Sequence, residues 1–174
     1  MKQIHRRSCK QDFAWPTSPF NIVLVEPEIP PNTGNIARLC AATGSHLHLV
    51  GQLGFRLNDA KLKRAGLDYW PWVKLHRHAD LGDIIYGNGA NRFFLFSTAG
   101  RKSYLSVSYR PGDYLIFGSE SRGLPDDLLA KYPDRVMGIP MQTEHVRSLN
   151  LATAAAIALY EALRQTQIPC RNGM

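Results

Sequence analysis

The chain has 174 residues and is 44% hydrophobic, enough for one globular domain with a single sizeable core. Its net charge of +7 points to a polyanionic partner, nucleic acid first, and no apolar run approaches the ~18 residues that a membrane helix needs. Three cysteines, Cys9, Cys40 and Cys170, are odd in number and far apart, which argues against a disulfide framework or a zinc site and for a reducing compartment.

Residues 1–19 carry Lys2, Arg6, Arg7 and Lys10 against Asp12 and hold no apolar core for a secretory signal, so they read as a flexible basic extension. Residues 20–174 read as one domain. Phe20 to Val25 is a continuous apolar run of strand length, as expected for a strand buried on both faces. A proline-rich loop follows, Glu26 to Asn35, with a short helix from Ile36 to Thr43 stopped by Gly44. Thr33 or Asn32 can cap that helix, and Arg38 lies one turn in, able to point back at its mouth. His46 to Val50 is a second strand. Residues 58–67 read as a basic helix carrying Lys61, Lys63 and Arg64, and Trp72 to Leu75 as a short strand. A helix around Asp80 to Tyr86 leads to a strand at Arg92–Ser97. Arg101-Lys102-Ser103 lacks the upstream glycine of a phosphate loop and reads as basic surface. Tyr114 to Phe117 is a strand, a helix begins near Pro125 as its first residue, and Arg135–Ile139 is the last strand. The chain closes on an alanine-rich helix with Ser148 as cap and Arg164 in its last turn. Strands alternating with helices predict an α/β fold, a parallel sheet covered on both faces.

Ala152, Ala154, Ala155, Ala156 and Ala158 leave the backbone of the final helix nearly bare, so other backbone or a flat ligand can approach it closely. Loops stand at the carboxyl ends of strands, where open α/β sheets place ligands. One is Asn32 to Arg38. Another is Phe117 to Pro125, where Gly118 and Gly123 permit close approach and Glu120 and Arg122 set opposite charges in one loop. The last is Ile139-Pro140-Met141 followed by Arg147-Ser148-Leu149-Asn150, which offers a hydroxyl, an amide and backbone groups to a ligand. His76-Arg77-His78 has no third ligand at metal-site spacing and reads as a solvated strand end, so no metal is expected.

Together these loops resemble, in order, the motifs of the SpoU branch of the SPOUT RNA methyltransferases, over about Phe20 to Gln165. Glu26 to Asn35 and Arg64-Ala65-Gly66-Leu67-Asp68-Tyr69 are most similar to the small enzymes that 2′-O-methylate the wobble cytidine or uridine of tRNA. The resemblance implies a SPOUT fold with a C-terminal deep trefoil knot, S-adenosylmethionine as methyl donor with S-adenosylhomocysteine as product, a homodimer, tRNA as partner, and a cytoplasmic protein. Carried over by position, Phe96, Gly118, Ile139, Ser148 and Leu149 belong to the cofactor pocket. Arg38, Asn32, Glu120, Ser148 and Asn150 fall on positions tied to catalysis. Arg38, Lys61, Lys63 and Arg64 are expected to contact RNA. A guanidinium is always protonated, so Arg38 is expected to grip phosphate and polarise the 2′-oxygen rather than take its proton. The rivals are methylation of another tRNA or rRNA position, and a silent knotted RNA-binding protein. A Rossmann-type methyltransferase would need a glycine-rich turn where the prolines stand.

Overall fold

The structure, a computed structural model, describes residues 12–56, 67–87, 92–142 and 144–167. Strands β1 (Asn21–Val25), β2 (His46–Val50), β3 (Lys74–His78), β4 (Phe93–Phe96), β5 (Lys102–Ser103), β6 (Tyr114–Phe117) and β7 (Val136–Gly138) form one seven-stranded sheet, ordered β3-β2-β1-β6-β4-β7-β5. Each of these pairings is parallel, as the alternating pattern predicts. Helices α1 (Pro30–Thr43), α2 (Gly82–Ile85), α3 (Asp126–Lys131) and α4 (Leu151–Thr166) cover it.

The side-chain period of two divides the core. Ile22, Leu24, Leu115 and Phe117 face one way and pack with Ile36 and Cys40 of α1 and with Ala155, Ala158, Leu159 and Ala162 of α4. Val23, Leu95 and Ile116 face the other way, against Ile84 and Ile85 of α2 and Leu128 and Leu129 of α3. The chain after β1 therefore turns to one face, and the chain after its neighbour β6 to the other. That divergence opens a crevice at the carboxyl ends of the strands.

Several local readings need correction. Helix α1 begins at Pro30, not Ile36, because Pro30 and Pro31 occupy its first positions, where their fixed φ suits a helix and their missing N–H groups cost nothing. Asn32 and Thr33 consequently lie inside α1 and do not cap it; Ile29 holds the cap position without a side-chain bond. Gly44 ends the helix at φ 69°, as expected of a left-handed cap. At α4 the cap is Asn150, not Ser148: its Oδ1 accepts from Ala152 N at 2.9 Å and Thr153 N at 3.3 Å. Trp72 belongs to a 3-10 turn (Leu67–Trp72) with Pro71 inside it, so β3 starts only at Lys74.

Lys102 and Ser103 are not loop but a strand paired with Met137 and Gly138 of β7. Glycine makes this edge possible, since a Cβ on Gly100 would strike the Met137–Gly138 backbone and one on Gly138 would strike the Gly100 carbonyl. The described part of the N-terminal extension is tied to the fold. Ala14 N donates to Gln167 Oε1 at 3.0 Å, Gln167 Nε2 donates back to Ala14 O at 2.7 Å, and Phe13 packs against the core. Most of the basic segment at 58–67, including Lys61, Lys63 and Arg64, lies outside the described residues.

Candidate functional site

At the carboxyl ends of β1, β4, β6 and β7 lies a cleft of about 890 Å³. Its walls bring together Asn32, Phe96, Gly118, Glu120, Ile139, Ser148, Leu149 and Asn150, which the sequence had named from separate loops. Leu151 and Ala154 of α4 add to the wall, while the alanines Ala155 and Ala158 pack into the core. Phe96 and Phe117 stack beneath it with centroids 4.7 Å apart.

A polar relay holds the cleft in shape. Glu120 Oε2 accepts from Glu28 N at 2.8 Å, while Oε1 accepts from Ile29 N at 3.2 Å and from Asn32 Nδ2 at 2.8 Å. Asn32 Oδ1 accepts from Asn150 Nδ2 at 2.9 Å, and Asn150 Oδ1 caps α4. One carboxylate thus holds the two amides that lead into α1, and a buried amide passes the connection on to α4. Each amide is used on both sides, which fixes the orientation of Asn32 and Asn150 without ambiguity. A second bridge runs beside the first: Ser121 Oγ and Ser121 N donate to Glu28 at 2.7 and 3.1 Å.

Gly118 has a structural reason beside any ligand. A Cβ there would collide with the backbone of Gly123 and Leu124, because the loop folds back on itself through an antiparallel bridge between Ser119 and Gly123. Glu26, at the end of β1, takes φ 48°, a left-handed conformation that costs a non-glycine residue about 1–2 kcal/mol. Strain of this kind, next to a cleft and with Arg122 Nη2 3.8 Å from the Glu26 carboxylate, is typical of functional loops.

Arg38 is placed differently from the sequence reading. It is exposed, sits in the third turn of α1, and does not line the cleft. Its guanidinium lies over the Tyr69 ring, 4.7 Å from the centroid, and donates to the Tyr69 hydroxyl at 3.0 Å. A neighbouring groove of about 530 Å³ shares Ser119, Arg122 and Gly123 with the cleft and is bordered by Tyr86 and Lys131, which sequence reasoning did not single out. Lys131 Nζ donates to the Tyr86 hydroxyl at 2.7 Å, leaving an exposed ring beside a cation.

The expectation that His76 and His78 have no third ligand is overturned. Parallel pairing of β2 and β3 sets His46 and His48 beside them, and one nitrogen from each of His46, His48 and His76 lies within 4.8 Å of the others. None of these histidines borders the cleft.

Residues 19–160 match the SpoU rRNA methylase family. The chain is 51% identical over 147 residues to a tRNA (cytidine(34)-2′-O)-methyltransferase of Saccharophagus degradans, covering 84% of this chain and 95% of that protein. It is 47% identical over 151 residues to the enzyme of the same name from Escherichia coli K12, covering 86% and 96%. A solved structure concerned with the 2-OH methylation of C/U34 on tRNA superposes with a TM-score of 0.81 at 48% identity, over 86% of this chain and 97% of that one. An AdoMet-bound rRNA methyltransferase from Sinorhizobium meliloti superposes with a TM-score of 0.74 at 26% identity, over 87% of this chain and 58% of that one.

Proposed function

The chain belongs to the SpoU rRNA methylase family, and on that premise we propose that it 2′-O-methylates the wobble cytidine or uridine of tRNA with S-adenosylmethionine as donor. The observation that carries the reading is the relay from Glu120 through Asn32 to Asn150, which joins all the sequence motifs into one cleft. The residues present fit the donor. Apolar Ile139 and Leu149 can flank an adenine, and the Ser148 hydroxyl and the loop backbone that borders the cavity at Gly118 offer hydrogen bonds. When bound, S-adenosylmethionine supplies a methyl group on a sulfonium sulfur and leaves as S-adenosylhomocysteine.

What the chain itself contributes is alignment and charge, and positioning alone can be worth ~7–11 kcal/mol. Glu120, Asn32 and Asn150 act as positioning residues, since their polar atoms are engaged with one another and with loop amides. Arg38, outside its own cleft, acts in a homodimer, where a second copy brings it to the ribose and phosphate. There its planar fork holds phosphate and polarises the 2′-oxygen. Arg122 and Lys131 of the neighbouring groove, with Lys61, Lys63 and Arg64, contribute further phosphate contacts. The final helix is threaded through an earlier loop as a trefoil knot, which accounts for its alanines, and the protein works in the cytoplasm with its tRNA.

The test is mass-spectrometric mapping of 2′-O-methyl nucleotides in unmodified tRNA after incubation with the purified protein and S-adenosylmethionine. Methyl at the wobble ribose is expected. Methyl only elsewhere in tRNA or in rRNA moves the substrate assignment, and no transfer despite donor binding leaves a silent RNA-binding protein.

A further inference from the structure

Away from the cleft, the β2–β3 edge of the sheet carries a cluster of imidazoles that methyl transfer does not use. The register pairs His48 with His76 and His46 with Lys74, so the period of two puts His46, His48, His76 and His78 on one face, beside Asn21 of β1. The His48 and His76 rings stack at 4.6 Å and 16°, and His46 lies 5.2 Å from His76. His48 is buried, His46 and His78 are half-buried and His76 is exposed, so the cluster has a closed floor and an open side.

The hydrogen bonds decide which nitrogens are free. Asn21 Nδ2 donates to Gly112 O at 3.0 Å, which turns Asn21 Oδ1 toward His48 Nε2, 3.1 Å away. An amide oxygen only accepts, so His48 carries its proton on Nε2 and its lone pair on Nδ1. This is the arrangement in which a metal-bound histidine is held, its second nitrogen donating to a fixed carbonyl. His46 Nε2 is buried without a hydrogen-bond partner among the described residues, although buried ring nitrogens are ordinarily satisfied. His78 Nε2 stands 2.9 Å from His48 Nδ1 and donates to it.

We propose that His46 through Nε2, His48 through Nδ1 and His76 bind a divalent transition-metal ion, the His78 proton moving from Nε2 to Nδ1 so that the His48 lone pair is released to the metal and His78 can serve as fourth ligand. Three or four neutral imidazoles and no carboxylate select zinc, nickel, cobalt or copper over magnesium and calcium. Tetrahedral zinc at ~2.0–2.1 Å from each nitrogen needs ligand atoms about 3.3 Å apart. The present separations, up to 4.8 Å, must therefore contract, and the exposed His76 is free to swing inward. Lys74 on the same face opposes a cation, whereas the Asp83 carboxylate near His78 favours one. Bound metal would clip the edge strand β3 to β2, leaving the cleft as it is.

The experiment uses the full chain, free of any histidine tag and stripped with a chelator, titrated with zinc chloride by calorimetry and with cobalt(II) by visible absorption. One equivalent of zinc and a tetrahedral cobalt band are expected, with a rise in melting temperature and no response to magnesium. His76→Ala, at an exposed position that leaves the core intact, and His46→Ala should both lose this uptake while keeping the parental circular dichroism. Asn21→Ala should weaken it ~10–100-fold. Methyl transfer by the stripped parent should be unchanged, which keeps this result separate from the assignment of the cleft. Absent zinc uptake, or uptake that persists in both histidine variants, overturns the proposal.

Discussion

Asn32 is the residue on which the cleft turns. It is buried, donates to Glu120 and accepts from Asn150, so a change there leaves Asn150 Nδ2 without its acceptor and the Glu120 carboxylate one donor short. Asn32→Ala should cost about 1–3 kcal/mol of stability and most of the methyl transfer. Asn32→Asp should be worse, because it sets a second carboxylate against Glu120 and removes the donor. Thermal melts and single-turnover rates on both variants check this, and an Asp variant more stable than Ala would contradict it. Gly118→Val should abolish S-adenosylmethionine binding and lower the melting temperature together, since any Cβ meets the Gly123–Leu124 backbone. Calorimetric donor binding at parental strength would place the pocket elsewhere. Arg38→Ala should bind the donor normally yet lose most transfer, and Arg38→Lys should stay close to Ala, having charge without the fork. Single-turnover rates at saturating tRNA isolate that step. A parental rate for the Ala variant would confine Arg38 to docking.

Among the elements, strands and glycine stops were legible, while helix starts and cross-strand clusters were not. His46–Val50 and Tyr114–Phe117 were read at their observed bounds, because short apolar runs between turn residues carry their own signal. The start of α1 was misread because Pro30 and Pro31 form its first turn rather than a loop, and the two amides before it, Glu28 N and Ile29 N, are held by Glu120, some 90 residues further on, which no local pattern can announce. The pair Lys102–Ser103 was missed for want of length. The histidines were missed because only the register of two strands, 28 residues apart at His48 and His76, makes them neighbours. That cluster also sets a pH response. Burial, then the nearby His76, His78 and His46, bring the His48 imidazole down from 6.5 to about 3. The unfolded chain therefore binds a proton that the folded chain refuses. Stability contributed by neutral His48 is present above pH ~6.5 and is lost as the pH falls toward 3. Melting of the chelator-treated protein should drop by about 5 °C or more across that window, and His48→Gln should flatten the slope. Equal slopes in parent and variant would assign the acid loss to other groups.

For the whole molecule, the parallel sheet and its doubly covered faces followed from the alternation of strands and helices, and the cleft from loops at strand ends. What the sequence could not give was how far from the cleft Arg38 would stand, since that depends on where α1 begins. With net charge +7, tRNA affinity should fall steeply with salt, in proportion to the phosphates neutralised. Charge reversal at Lys61 and Lys63 should reduce both the affinity and the salt slope without touching donor binding, and an unchanged slope in filter-binding measurements would make that segment a mere solvated face.

The relay that closes the cleft has a bearing on how the protein is made. All seven strands are complete at Gly138, yet Asn32 finds its second partner only at Asn150, 118 residues later, and the wall of the cleft ends on Ala154. The same last helix covers the face of the sheet that carries Ile22, Leu24, Leu115 and Phe117, so a chain halted before Asn150 should lack the closing wall of the cleft and one half of its core together.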